Sequence, residues 1–291
     1  MTLRTVAPAK INLTLEILGR RADGYHEIRS VMQTIDIVDT LTLQPADELS
    51  LHVEGSHKPP DNDLALQAAR AMAVASDIPA SGSFRLEKHI PEAAGLGGGS
   101  ADAAAAIRLL NRQHKLGLTP QTMASTAASI SSDAAFFCFG GTASVGGRGE
   151  VVESLPDAKP FWIVVLTPSA SIPRKTKRMY DSLESGDFTH GDATGRLAEH
   201  IRRHGVIESG DLYNAFDRAA YETFDGLREN RDALLKAGAG TVHVAGSGPA
   251  LFTLAKTESN ARAIANHLGE TRCQVDVARS TSADDAVAVQ E

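Results

Sequence analysis

The chain lacks any apolar run long enough to span a bilayer. The longest of weight, Phe161 to Leu166, falls far short of the roughly 20 residues a membrane helix needs. Pro8 and Lys10 interrupt the apolar stretch near the start, so no signal peptide is expected. There is no strongly basic block, and the net charge is −7. Nucleic-acid binding, which leaves a positive footprint, is therefore not expected. A local site for a small anion can still oppose the global charge. Cysteine is scarce: Cys138 and Cys273 are the only two. They lack metal-ligand spacing and allow at most one disulfide; two reduced, buried thiols are the plainer reading. Internal repeats and low-complexity tracts are also absent.

What remains is an ordinary globular composition, 42% hydrophobic and 22% charged over 291 residues, enough for two domains with their own cores. Strands are predicted at Ile11–Leu18, Leu41–Leu43, Leu49–Val53 and Gly82–Ile90, with a loop from Gly55 to Asp63. The Ala- and Leu-rich stretch Leu64–Ala75 predicts a helix. Another is expected from about Ser100 to Gln113, and Pro120 opens a third. Glu150–Pro160 reads as a linker between domains 1–156 and 157–285. Beyond it come a buried strand at Phe161–Thr167, a polar loop at Leu183–Gly195, and helices at Asp211–Phe224 and Leu227–Ala237. The pattern then runs strand (Thr241–Ala245), strand (Ala250–Ala255), helix (Ser259–Leu268), strand (Gln274–Ala278), and the last ten or so residues read as frayed. Strands and helices mix without regular βαβ alternation, which favours α+β over a doubly wound sheet.

The run Pro91-Glu-Ala-Ala-Gly95-Leu96-Gly97-Gly98-Gly99-Ser100-Ala101 lies between a predicted strand and a helix. Its glycines let the backbone approach a ligand closely. The helix that follows turns free N–H groups and its positive end toward the loop, an arrangement that binds phosphate without a lysine. No Gly-Lys-Ser/Thr follows, so this is not a Walker A loop, and no early βαβ unit suits a dinucleotide fingerprint. Ser100 is expected to cap the helix, or to meet a phosphate oxygen or Mg²⁺. Asp102 is expected to complement the helix dipole in solvent.

Lys10 and Asn12, two residues apart on a strand, share one face. Alone, Lys10 reads as a snorkelling edge residue, and Tyr25 and His26 as flanks of a turn. Taken together and in order, Pro8-Ala-Lys10-Ile-Asn12-Leu, Gly24-Tyr25-His26, the glycine loop and Ala245-Gly246-Ser247-Gly248-Pro249 resemble the GHMP kinase superfamily. The turn Gly19-Arg-Arg-Ala-Asp-Gly24-Tyr25-His26 is similar, more narrowly, to the branch whose acceptor is a cytidine-diphosphate-linked methylerythritol.

That resemblance implies a two-domain GHMP kinase fold, its N-terminal part like the second domain of ribosomal protein S5, its C-terminal part ferredoxin-like, and the active site between them. It implies ATP and Mg²⁺, a CDP-alcohol substrate, phosphorylation of the 2-hydroxyl on the non-mevalonate route to isoprenoid precursors, and a cytoplasmic monomer or weak homodimer with no nucleic-acid or membrane partner. Asp133 becomes the base that takes the hydroxyl proton, and Lys10 the cation that stabilises the developing alkoxide. Asn12 bonds the substrate near the reacting carbon. Tyr25 and His26 bind cytosine, with Tyr180 as a second ring and Thr176 one helical turn before it. Residues Pro91, Gly95 to Gly99, Ser100 and Ala101 hold the nucleotide. Two departures stand out: Ser131-Ser132 precedes Asp133 where the superfamily has Gly-Ala, and Asp63 stands at a usual Asn position on the adenine side. A homoserine or mevalonate kinase is the alternative, although neither substrate has a base to stack on Tyr25. A non-catalytic ATP or sugar binder is the other alternative, although it would be expected to have lost Asp133 or Lys10.

Overall fold

Two very long strands open the chain, and the rest is arranged on them. The computed structural model describes residues 1–54, 62–169, 172–269 and 271–291; of the predicted loop Gly55–Asp63, positions 55–61 lie outside the described residues. Strand β1 runs Leu3–Arg20 and β2 His26–Gln44. They pair antiparallel throughout, with the register slipping at Pro8/Ala9, Asn12/Thr14 and Ile17/Gly19. Pro8, which cannot donate to a ladder, sits at the first of these slips. In chain order there follow β3 (Leu49–Val53), α1 (Leu64–Ala75), β4 (Gly82–Glu87), α2 (Gly98–Gln113), α3 (Pro120–Ala128), β5 (Thr142–Gly147) and β6 (Val151–Ser154). Then come β7 (Trp162–Thr167), α4 (Lys175–Asp181), α5 (Asp192–His204), β8 (Tyr213–Asn214), α6 (Asp217–Thr223) and α7 (Leu227–Lys236). The chain closes with β9 (His243–Val244), β10 (Leu251–Ala255), α8 (Glu258–His267), β11 (Gln274–Arg279), α9 (Ala283–Val287) and β12 (Val289–Gln290).

Among the described residues the larger sheet has the order β12-β1-β2-β4-β3, with β5 beside β2, β6 beyond it, and β8 against β1. The smaller is antiparallel, β11-β7-β10-β9. This is the α+β organisation expected. Three cores result. Small residues Ala103–Ala106 with Ile107, Leu109 and Leu110 bring α2 close against Met32, Leu41 and Leu43 of β2. A middle core joins Ile11, Leu13 and Ile35 to Ile163, Val165 and Phe252 of the smaller sheet. A third lies over that sheet's other side, where Val164 and Leu166 meet Phe224, Leu234 and Ile264. The β1–β2 hairpin thus serves both halves and is buried on both faces, with the polar Lys10, Asn12, Thr14 and Glu16 alternating with the apolar Ile11, Leu13, Leu15 and Ile17.

Several expectations are corrected. The predicted linker carries β6, which pairs with β5. The predicted loop Leu183–Gly195 ends inside α5, whose apolar stripe Leu197, Ala198 and Ile201 is buried. The predicted helix Asp211–Phe224 is shorter, because Tyr213–Asn214 first add to β1. The tail is not frayed: Ser282 caps α9, and Val289 and Gln290 pair with Thr5 and Arg4. Both cysteines are free, with Cys138 buried and Cys273 half-buried, and burial pushes the Cys138 thiol up to about 12. No helix among the described residues is long and apolar enough to cross a membrane.

Candidate active site

The glycine run connects β4 to α2 and is pinned at both ends. Upstream, the fully buried Asp39 carboxylate accepts hydrogen bonds from the backbone of His89 (2.5 Å) and Ile90 (2.8 Å). Lys88 bridges Asp39 (2.5 Å) and Asp102 of α2 (2.6 Å). In its middle, the Leu96 carbonyl accepts from the Lys10 backbone N–H at 2.9 Å. At its far side lies the β9–β10 hairpin: Ala250 N–H donates to the Ala94 carbonyl at 3.0 Å. Gly95 has φ +94°, and a Cβ there would overlap the Ala245 carbonyl oxygen, so only glycine allows the two turns to touch. The turn at Gly246-Ser247-Gly248 is thus both a hairpin turn and the neighbour of the loop.

Gly97, left-handed at φ 78°, is the N-cap of α2 and supplies no side-chain cap. The first-turn amides of Gly98, Gly99 and Ser100 therefore face the cleft with the positive end of the helix. This corrects two expectations. Ser100 does not cap the helix; its hydroxyl meets that of Ser131 at 2.7 Å. Ala101 is buried and commits its N–H to the Gly97 carbonyl at 2.9 Å, so that amide is not free for a phosphate. Asp102 is likewise not in solvent. It is 1% exposed, and burial, with Asp39 adding to it, raises its carboxyl to about 8 against the pull of Lys88. Two buried carboxylates sharing one ammonium favour keeping one proton.

Lys10 projects from β1 beneath the loop and is 3% exposed. Its ammonium donates to Asn12 Oδ1 at 2.7 Å, and Asn12 donates on to Ser30 Oγ at 2.9 Å. The same ammonium stands 3.6 Å from Asp133 Oδ2. Asp133 sits in a 3-10 turn, Ser132–Ala134, entered by an extended Ser131. Serine suits these backbone angles, and Ser131 ties the turn to α2. Arg108 of α2 reinforces the same junction, donating to the carbonyls of Phe137 and Val6, each at 2.8 Å. Burial lowers that guanidinium to about 10.

A cleft of about 990 Å³ brings together Lys10, Asn12, Pro91, Gly95, Leu96, Gly97, Gly98, Gly99, Ser100, Asp133, Thr176 and Tyr180. Asp63 also lines it while capping α1 through Ala65 N–H at 2.8 Å. Tyr25 and His26 stand apart from that wall. His26 is buried, and desolvation, with Arg20 nearby, lowers its pKa. Its ring stacks on Tyr180 with centroids 4.8 Å apart, and Tyr180 meets Phe216 edge-on at 5.0 Å. Tyr25 is 54% exposed on the β1–β2 turn, under the guanidinium of Arg148 at 4.6 Å. Sequence reasoning missed Arg148 and Lys88, both of which line the cleft. The glycine-flanked Gly147-Arg148-Gly149 turn was a signal available for the first. Nothing local distinguishes the second.

The described residues hold no cluster of three or more His, Cys, Asp or Glu suited to a metal. Mg²⁺ needs only one or two protein oxygens when phosphates supply the rest, and the Ser100 hydroxyl and the Asp133 carboxylate both line the cleft.

A backbone anion cradle facing a lysine–carboxylate pair is the layout of a phosphotransferase, and the sequence comparisons agree. The model for GHMP kinases N terminal domain matches residues 63–141, and that for GHMP kinases C terminal matches residues 195–272. The chain belongs to the GHMP kinases. More particularly, it is 36% identical over 267 residues to the 4-diphosphocytidyl-2-C-methyl-D-erythritol kinase of Dehalococcoides mccartyi, covering 91% of this chain and 94% of that one. The protein of the same name from Listeria monocytogenes serotype 4b is 38% identical over 274 residues, 92% of each chain. A crystal structure of 4-(cytidine 5'-diphospho)-2C-methyl-D-erythritol kinase superposes with a TM-score of 0.79 at 31% identity, covering 94% of this chain and 98% of that one. Homoserine kinase from Cytophaga hutchinsonii, at 17% identity, TM-score 0.73 and 97% and 95% coverage, shares the fold.

Proposed function

We propose that this kinase transfers the γ-phosphate of ATP to the 2-hydroxyl of 4-(cytidine 5'-diphospho)-2-C-methyl-D-erythritol, a step in making isoprenoid precursors by the non-mevalonate route. The observation that carries the reading is the Lys10–Asp133 pair, 3.6 Å apart in the same cleft as the open amides of Gly98–Ser100.

Phosphoryl transfer asks a protein mainly for positioning and charge stabilisation. The loop amides and the α2 terminus hold the phosphates. Asp133, a third exposed, accepts the hydroxyl proton as the oxygen attacks phosphorus. Lys10 pairs with that carboxylate and stabilises the oxygen as charge develops. Asn12, fixed through Ser30, presents an amide to the acceptor. Ser100 and Asp133 would hold Mg²⁺, which would supply charge neutralisation at the phosphates. On the other side of Asp133, Tyr180 and Thr176 with His26, Tyr25 and Arg148 form the cytosine end. Flat rings and a guanidinium suit a nucleobase, for which neither homoserine nor mevalonate would have a use.

The two domains are taken as 1–156 and 157–285. One family match in each supports that division, as does the smaller sheet, which lies wholly in the second; the larger sheet is built mainly from the first but also takes in β8 and β12. The enzyme works in the cytoplasm as a monomer or weak homodimer on small molecules alone. The test is ADP release with ATP, Mg²⁺ and each candidate alcohol. Turnover with the CDP-alcohol alone is expected. Preference for homoserine or mevalonate would replace the substrate, and no ADP with any alcohol would favour a non-catalytic binder.

A further inference from the structure

Lys175 stands at the head of α4, in the half of the chain that carries Thr176 and Tyr180, yet its side chain crosses to the other half. Its ammonium donates to the Ala93 carbonyl of the glycine loop at 2.9 Å and to the Gly248 carbonyl of the β9–β10 turn. It lines the same cleft as Gly97, Asp133 and Lys10. Among the described residues no carboxylate lies within ion-pair distance of it, so neutral carbonyls are its resting partners.

Such a group is poorly compensated. Burial, with the like charge of Lys10, lowers it to about 8, and Asp133 only partly opposes this. Six cationic side chains, Lys10 and Lys175 among them, and four carboxylates line the cleft, a local excess of positive charge in a chain whose net charge is −7. A desolvated cation held by carbonyls gains most from an arriving anion. The anion that this loop is built to receive is the phosphate chain of the nucleotide. The lysine's long stem allows it to exchange one carbonyl for a phosphate oxygen while keeping the other.

We propose that Lys175 is a phosphate-binding residue of the reaction, an ammonium delivered by α4 to the nucleotide phosphates held in the glycine loop, with its bonds to Ala93 and Gly248 as its resting position. The inference rests on the kinase reading above and adds the residue that couples the acceptor-side helix to the phosphate side. Because Thr176 and Tyr180 share α4 with Lys175, nucleotide binding then also steadies the acceptor end.

Calorimetric titration with ATP and with adenosine, in the absence of the alcohol, tests this without relying on turnover. Lys175→Met should weaken ATP at least tenfold and adenosine less than twofold, and Lys175→Arg should restore most of the ATP affinity. A purely structural strap would move both ligands together, or neither, and that result overturns the proposal. A second measurement needs no variant. In the wild-type protein, reductive methylation mapped by mass spectrometry should label Lys175, and ATP, but not adenosine, should protect it. Equal labelling with and without ATP also overturns it. If ATP binds as expected but no CDP-alcohol is phosphorylated, the substrate assignment fails and the role of Lys175 stands.

Discussion

Lys88 and Lys10 show how two similar side chains are given different tasks by their surroundings. Lys88 is clamped between two buried carboxylates and holds the entry of the glycine loop. Lys10 is offered one carboxylate, a third exposed, across an open cleft. The clamp has a pH signature. Asp102 keeps its proton to about 8 in the folded protein, chiefly because of burial, and gives it up near 4 when unfolded. The folded state therefore binds more protons over that window, and stability falls as pH rises from about 4 through 8. Urea midpoints measured from pH 5 to 8 should decline for the wild type and flatten for Asp102→Asn; parallel curves would show that Asp102 ionises without cost.

At the scale of elements, the site is the meeting of two glycine turns over one strand. Gly95→Ala puts a methyl into the Ala245 carbonyl at a positive φ. It should cost about 2 kcal/mol or more in stability and weaken ATP binding, both read by thermal melts with and without nucleotide. Stability within about 0.5 kcal/mol of wild type would mean that the turns do not need to touch. The elements also show what could be read in advance. Helix α1 is legible to the residue because Ala and Leu fill it, and the structure adds the cap at Asp63. The glycine loop and the Lys10–Asn12 face were legible because a motif announces each. Helix α5 was hidden by Gly195 and its charged surface, which mask a narrow apolar stripe. The Lys175 contacts end on backbone carbonyls, which have no side-chain signature. Asp102 looked exposed because its partner Lys88 comes from outside the helix.

At the scale of the whole molecule, the β1–β2 hairpin belongs to both halves, with Ile11, Leu13 and Ile35 in the core between them. The halves should therefore unfold together. Trp162, the single tryptophan, lies on the smaller sheet, so its fluorescence and far-UV dichroism should trace one coincident urea transition. Two separated transitions would mean that the middle core does not couple the domains. This coupling bears on function, because β1 carries Lys10, the turn at its end carries Tyr25, and the smaller sheet's hairpin buttresses the phosphate loop.

The central claim is that Asp133 faces the acceptor oxygen as its base beside Lys10. Single-turnover transfer from ATP to the CDP-alcohol should slow by about 10²-fold or more in Asp133→Asn, with ATP affinity and melting behaviour close to wild type. Transfer at the wild-type rate in that variant would contradict the account.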